Sequence, residues 1–121
     1  MKLNPDCIRD VLLFVEERTD LKHHVSISRD KAESLIPGYS AEEIMYHVEQ
    51  CNLSEFFQRG THDILGNISI SYLSPKGHEF LDNIRPVPVW DKIKSKGTSS
   101  IPIMIQLAKD FALAYFQGTL Q

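Results

Sequence analysis

Residues 35–44 read LIPGYSAEEI and place a tight turn directly before a helix start. Pro37-Gly38 ends the preceding segment, because proline interrupts a helix and glycine favours the turn that follows. Ser40 and Glu43 match a capping box, in which a hydroxyl and a carboxylate satisfy the free backbone N–H groups at a helix start. The stretch therefore predicts two helices joined by a short turn, the second beginning at Ser40 or Ala41.

Two further elements are predicted upstream of this turn. A helix from Pro5 to about Arg18 is capped by Asn4 and carries apolar residues at helical spacing. The alternating segment 24–28 predicts a short strand at a sheet edge. Ser28 is then placed to cap the helix that precedes the turn, over residues 29–36.

Downstream of the turn, the hydrophobic period changes from helical to two. Residues 53–57 and 68–72 are the arms of a predicted β-hairpin, with a polar loop between them that is punctuated by glycine. Ser74 and Pro75 then begin another helix, since serine caps and proline suits a first helical turn. That helix is expected to end at residues 85–88.

The order of these elements is helix, strand, helix, turn, helix and hairpin. This is the order of a winged helix-turn-helix, in which the third helix enters the DNA major groove and the hairpin flanks it. We therefore predict an α+β fold with a three-helix core, a β-hairpin wing and additional C-terminal helices. Double-stranded DNA is the partner that such a fold suggests.

The C-terminal segment is the most apolar part of the chain. A short helical segment is predicted around residues 90–96, followed by a linker and an apolar helix over residues 101–116. Because apolar residues cover more than one face, packing on the first helix would leave some exposed. We expect a winged-helix domain over residues 1–97, with residues 98–121 either part of it or a homodimer interface. The candidate interface residues are Ile103, Leu107, Phe111, Tyr115 and Phe116.

Three separated blocks resemble a known family. They are residues 1–10 (MKLNPDCIRD), residues 42–47 (EEIMYH), and residues 73–85 (LSPKGHEFLDNIR) with Trp90. In these blocks the chain resembles a family of small proteins common in bacterial prophages and known only as a domain of unknown function. The third block also looks like the segment that follows the wing in many winged-helix regulators. The resemblance implies a winged helix-turn-helix fold and an association with phages. It implies no catalytic or ligand-binding residue.

The charge pattern opposes DNA binding by the predicted third helix. The 121 residues hold 13 Lys and Arg against 16 Asp and Glu, a net charge of -3. Residues 40–60 contain one cation against four acids, although Lys and Arg normally supply much of duplex affinity. Lys76, Arg85, Lys92, Lys94 and Lys96 form either a small basic face or separate solvated helix ends. The candidate DNA contacts are Ser40, Tyr46, His47, Gln50, Arg59, His62 and Lys76.

No motif indicates an enzyme, a cofactor or a metal site. His78 and Asp82 have the spacing of a variant zincin motif, but no third ligand is apparent and the residues between them suit a core. Cys7 and Cys51 lack CxxC spacing and are expected to be reduced, core-packed thiols. Without a secretory signal or a spanning segment, we expect a cytoplasmic protein.

Two functions therefore stay open. The first is a phage-associated regulator that binds DNA. The second is a non-enzymatic interaction module, in which the acidic third helix and the apolar C-terminal helix contact a host or phage protein.

Overall fold

Six helices and five short strands make up the computed structural model, which describes all 121 residues. The class is mixed α+β, as the sequence predicts. The elements in chain order are α1 (Pro5–Arg18), β1 (Val25–Ile27), α2 (Ala32–Leu35), α3 (Ala41–Leu53), β2 (Phe57–Gln58), β3 (Thr61–His62), β4 (Ile68–Ile70), β5 (Tyr72–Leu73), α4 (Pro75–Ile84), α5 (Val87–Ser95) and α6 (Ile101–Phe116).

Side-chain caps begin four of the helices; those of α1, α3 and α4 are the predicted ones, and that of α6 was not predicted. Asn4 accepts a hydrogen bond from the Asp6 N–H at the start of α1. Ser40, Ser74 and Ser100 each accept one from the N–H three residues later, at the starts of α3, α4 and α6. Such caps act locally, because each satisfies a backbone N–H that the helix itself leaves unpaired.

The second helix is shorter than predicted, and Ser28 does not cap it. The Ser28 carbonyl instead accepts the Lys31 N–H at 3.2 Å, which makes a turn of residues 28–31. Helix α2 then begins at Ala32, where Lys31 occupies the N-cap position without a side-chain hydrogen bond. The helix keeps only four residues, because the turn uses the first part of the segment.

Two other boundaries differ from the prediction. Helix α3 continues to Leu53, so the first hairpin arm is Phe57–Gln58 instead of residues 53–57. Helix α5 begins at Val87 instead of residue 90. Pro88 falls in the first turn of α5, where its missing N–H breaks no helical hydrogen bond.

One hairpin spans residues 57–73 and holds a third strand at its edge. The pairs Phe57↔Leu73 and Thr61↔Ser69 belong to the same antiparallel register, so the β2–β5 and β3–β4 ladders continue each other. The ladder is interrupted at Arg59, whose φ of 54° is left-handed. Strand β1 pairs antiparallel with β4, which gives a three-stranded sheet in the order β1-β4-β3.

A single apolar core joins the helices to the hairpin. Phe56 is fully buried in it and stacks on Phe80 of α4, with ring centroids 5.1 Å apart. Helix α6 contributes Ile101, Met104 and Ala108 to this core. It packs against α4 and α5, whereas the sequence suggested packing on the first helix. None of the helices has the combination of length and apolar character that crossing a bilayer requires.

Candidate nucleic-acid interface

Helix α3 buries one face and presents the opposite one to solvent. Its apolar positions Ile44, Val48 and Cys51 are fully buried at the spacing of a core-facing stripe. Ser40 is occupied by its capping hydrogen bond to the Glu43 N–H. The residues that share the outward side are Glu42, Tyr46, Glu49, Gln50 and Leu53.

The two acidic side chains of this outward face are both paired with groups from other elements. The Arg29 guanidinium, in the turn before α2, contacts the Glu42 carboxylate. His62 on the hairpin brings its Nε2 to 2.5 Å from Oε2 of Glu49. A charge count along residues 40–60 misses Arg29 altogether. The α3 face is therefore less repulsive to an anion than that count indicates, although it carries no cation of its own.

His47 is not a DNA contact in this structure, and its inclusion among the candidates is corrected. The ring is fully buried. Its Nε2 accepts the Asn4 N–H at 2.7 Å, and its Nδ1 lies 2.7 Å from the Glu43 carbonyl, to which it donates. Both ring nitrogens are thus occupied in a neutral imidazole. His47 ties the start of α1 to α3, 43 residues away, a separation that no local sequence signal reveals.

The hairpin presents Arg59 beside the end of α3. Asn52 of α3 donates from Nδ2 to the Gly60 carbonyl at 3.1 Å. A Cβ at Gly60 would lie 2.0 Å from the Asn52 side-chain oxygen, so a larger residue there would displace the Asn52 side chain and its hydrogen bond. The adjacent Arg59 is exposed and enters none of the ion pairs. Arg59 is therefore a cation beside the outward face of α3 that is free to contact another molecule.

Two cations that the sequence analysis overlooked lie across from the hairpin. An open cleft of about 760 Å³ separates the turn before α2 from the hairpin, and Arg29, Lys31 and Asn67 line it. Arg29 is ion-paired with Glu42, whereas Lys31 is exposed and free of ion pairs. The sequence signal for these two cations is weak, because Arg29 and Lys31 flank the acidic Asp30 in a segment that is predicted as helix.

The tip of the hairpin is rigidly hydrogen-bonded and apolar on its outside. The Asp63 carboxylate accepts the backbone N–H groups of Leu65 and Asn67 and the side-chain amide of Asn67. Gly66 takes a φ of 83°, as the last residue of a three-residue hairpin loop commonly does. Ile64 is 100% exposed and Leu65 80% exposed. The tip thus has polar contacts inside and aliphatic side chains outside.

Acidic side chains occupy part of the suggested basic face. Arg85 binds both carboxylate oxygens of Glu16 and also contacts Asp82, and these hydrogen bonds raise its pKa further above its ordinary range. Lys94 pairs with Asp6 at 3.3 Å. Lys76 remains exposed on α4, where it lines a small cavity with Lys109. Two of the five cations are therefore occupied by acids of α1.

The candidate interface residues of α6 differ in how far they are exposed. Leu107 and Phe111 are half-buried against the core of the same chain. Ile103 is exposed near the start of the helix, whereas Tyr115 and Phe116 are exposed at its end. The side of α6 opposite the core is mixed: Gln106 and Asp110 hydrogen-bond to each other there, beside the exposed Leu113.

The two cysteines and the remaining histidines do not assemble a reactive site. Cys7 and Cys51 are free and buried. Burial first, and then the charges of Glu43 and Asp10, raise the pKa of Cys7 to about 12. Burial also raises the pKa of Cys51. Both thiols are therefore protonated and poorly nucleophilic. No group of three or more His, Cys, Asp or Glu side chains is placed to hold a metal ion.

Comparisons with known proteins assign the chain to a family. The family described as "Hypothetical protein (DUF2513)" matches residues 2–100, and the chain therefore belongs to it. A relative from Haemophilus influenzae, described as an uncharacterized protein, is 29% identical over 101 residues. The matched region covers 78% of this chain and 77% of the relative. No solved structure matches the chain.

Proposed function

We propose that this protein is a winged-helix, phage-associated regulator that binds double-stranded DNA without catalysing a reaction. The observation that carries the proposal is the order and pairing of its elements. Helix α2, the tight turn and α3 are followed by a hairpin, and β1 pairs with β4 at the hairpin's edge. In winged helices, this arrangement presents the third helix to the major groove.

The pairing of the α3 carboxylates supports the same proposal. Glu42 is ion-paired with Arg29, and Glu49 is paired with His62. The outward face of α3 therefore offers the neutral groups Tyr46 and Gln50. A glutamine amide can pair with both the acceptor and the donor that adenine shows in the major groove. Gln50 is therefore the proposed base contact.

Phosphate contacts would come from only a few cations. Arg59 on the hairpin and Lys31 beside α2 are exposed and free of ion pairs. Because each neutralised phosphate releases about one counterion, few contacts give a shallow dependence of affinity on salt. We expect binding that is detectable at low salt and modest at physiological salt.

A gel-retardation assay with duplexes from the protein's own genomic neighbourhood tests this proposal. Arg59→Ala should weaken binding for every sequence and reduce the salt slope by about one. Gln50→Ala should instead change which duplex is preferred. Lys109→Ala, an exposed cation on α6, is the matched control and should leave binding unchanged. If no duplex of that neighbourhood is retarded at low salt, the DNA proposal fails.

A second candidate function is a protein-interaction module that uses the same face. The observation in its favour is that the outward side of α3 has no cation and combines Glu42 and Glu49 with two exposed apolar groups. These are Tyr46 and Leu53, the latter 66% exposed. A partner for this surface would be a protein with a basic and partly apolar patch.

Charge reversal separates the two candidates. The double variant Glu42→Lys and Glu49→Lys removes two carboxylates from the face and adds two cations. DNA retention should become stronger if DNA is the ligand, whereas capture of a basic protein partner should be lost. The double variant Glu17→Lys and Glu79→Lys, at exposed positions of α1 and α4, makes the same change in net charge and is the control. Unchanged behaviour in both assays would exclude this face from either function.

We further propose that the protein works in the cytoplasm. Its two cysteines are unpaired and buried, which is typical of proteins from reducing compartments.

A further inference from the structure

The tip of the hairpin, residues 63–67, exposes two adjacent aliphatic side chains that folding does not need. Ile64 is fully exposed and Leu65 largely so, whereas Ile68 and Ile70 of the adjoining strand β4 are buried in the core. A single exposed apolar side chain is ordinary, but two neighbours at the turn of a hairpin form a small apolar surface. Such a surface is suited to contact with another molecule.

The tip is held in shape by its own hydrogen bonds. The Asp63 carboxylate accepts the N–H groups of Leu65 and Asn67 and the side-chain amide of Asn67, and the Asp63 N–H donates to the Asn67 carbonyl. The one acid of the tip thus directs its carboxylate into the loop. A loop of fixed shape loses little conformational entropy when it inserts into another molecule.

A cleft separates the tip from the start of α3. Its volume is about 760 Å³. Leu65 and Asn67 line it on the hairpin side, and Ala41 lines it in the first turn of α3. Arg29 and Lys31 line it in the turn before α2. The cleft therefore places cations between the tip and the helix that is proposed to read DNA.

The acids that line the cleft interact with groups of the same chain. Glu33 accepts the Ala41 N–H at 3.2 Å, and a hydrogen bond from Ser28 holds the pKa of the Asp30 carboxyl group below its usual value. Lys31 has no acidic partner. The cleft thus holds a free ammonium group, whereas its carboxylates already have hydrogen-bond donors.

The order of helix, cleft and tip follows the order in which a duplex presents its surfaces. In B-DNA, one sugar–phosphate strand separates the major groove from the next minor groove. With α3 in the major groove, that strand would lie in the cleft, beside Lys31, where phosphate contacts fix the position of a protein on DNA. The tip then faces the minor groove on the far side of the strand.

From this arrangement we propose that Ile64 and Leu65 form an apolar wedge, which enters the minor groove and partly unstacks one base step. Proteins that bend DNA from the minor groove use such wedges of Phe, Leu, Ile, Met or Pro. Unstacking costs free energy, which the contacts of the bent duplex offset, and pyrimidine–purine steps yield most easily. The wedge rests on the proposed binding of DNA and adds a preferred kind of site, a flexible or distorted step.

Binding to a distorted duplex tests the wedge. The duplex that the protein retards best is compared with the same duplex carrying a single mismatch, which is moved along it one position at a time. The wild type should bind the best-placed mismatch about tenfold more tightly than the paired duplex, because a mismatch weakens the stacking that the wedge must break. The tip variant, Ile64→Ser with Leu65→Ser, should lose this preference and still bind the paired duplex.

A matched control and a second readout separate the wedge from a general loss of apolar surface. Leu21→Ser with Leu113→Ser removes two exposed leucines outside the hairpin and should keep the wild-type preference. 2-Aminopurine, a base whose fluorescence is quenched by stacking, is placed at the preferred step. Its fluorescence should rise when the wild type or the control variant binds, and should stay low with the tip variant.

The outcomes distinguish failure of the wedge from failure of DNA binding. If no duplex is retarded at low salt, both proposals fail. If duplexes are retarded but mismatched and paired ones bind equally, or if the tip variant keeps the preference, the wedge alone is overturned. Sedimentation with vesicles of phosphatidylcholine and phosphatidylserine checks whether the tip enters a membrane instead. Vesicle binding that the tip variant loses, with the 2-aminopurine signal unchanged by that variant, would overturn the wedge as well.

Discussion

The interior beneath α3 and the tip of the hairpin are built in opposite ways. Beneath α3, apolar side chains point inward, and the one buried imidazole, His47, has a partner for each nitrogen. At the tip, the polar groups of Asp63 and Asn67 point inward to each other, and Ile64 and Leu65 point outward. Folding needs the interior residues in place, whereas it does not need the aliphatic side chains of the tip. Those side chains are therefore available for contacts with another molecule.

The largest expected effect comes from changing the interior where α4 meets α3 and the hairpin. A Cβ at Gly77 would lie 2.2 Å from the Phe56 carbonyl oxygen, which is a backbone atom that cannot rotate away. Gly77→Ala should lower the free energy of unfolding by about 3 kcal/mol, since forced backbone shifts outweigh the gain in helix propensity. Chemical denaturation followed by circular dichroism measures the change.

The matched control is Lys76→Ala, one residue earlier on the exposed side of α4. It should change the free energy of unfolding by less than about 0.5 kcal/mol, as surface substitutions usually do. If Gly77→Ala proved as stable as the wild type, the close contact between α4 and the hairpin base would be wrong.

A smaller effect is expected for the polar group within the interior. His47→Ala leaves the Asn4 N–H without its partner, removes the side-chain hydrogen bond to the Glu43 carbonyl and opens a cavity. The expected loss of unfolding free energy is about 2–3 kcal/mol, combining an unpaired buried donor with lost packing. His78→Ala, on the exposed side of α4, is the control and should be close to neutral. Equal stability of the two variants would place His47 at the surface after all.

The histidines also illustrate how far the sequence could predict this molecule. Caps and periodicity act over a few residues, so they predict α1, the start of α3, α4 and α6 at their observed positions. His47 and His62 look alike in sequence, yet one is buried and the other pairs with Glu49 at the surface. Their environments depend on contacts between distant segments, which local patterns do not encode.

The candidate site was predicted less well than the fold for the same reason. The acidic count over α3 was correct as arithmetic, but it omitted Arg29, which reaches Glu42 from the turn before α2. Arg85 was counted with a basic face, although Glu16 of α1 binds it from 69 residues away. Charges can be counted in a sequence, but their pairing is a property of the folded chain.

The smallest expected effect is local and concerns the tip. Desolvation raises the pKa of Asp63, but hydrogen bonds from Leu65 and Asn67 outweigh it, so the pKa lies below the ordinary value of 3.8. A depressed pKa means that the charged carboxylate stabilises the folded tip above that value, and that this support is lost as the pH falls through the folded-state pKa. Amide hydrogen exchange at Leu65 and Asn67, corrected for the intrinsic pH dependence of exchange, should therefore lose protection below about pH 4 while the interior stays protected.

Asp63→Asn sharpens this test, because an amide oxygen still accepts hydrogen bonds but does not titrate in this range. The variant should have a less protected tip at neutral pH and little further change on acidification. Asp91→Asn, on the exposed side of α5, should behave as the wild type. If acid opened the tip and the interior together, the two regions would unfold as one unit. The hairpin tip would then owe its shape to the core beneath it and not to its own hydrogen bonds.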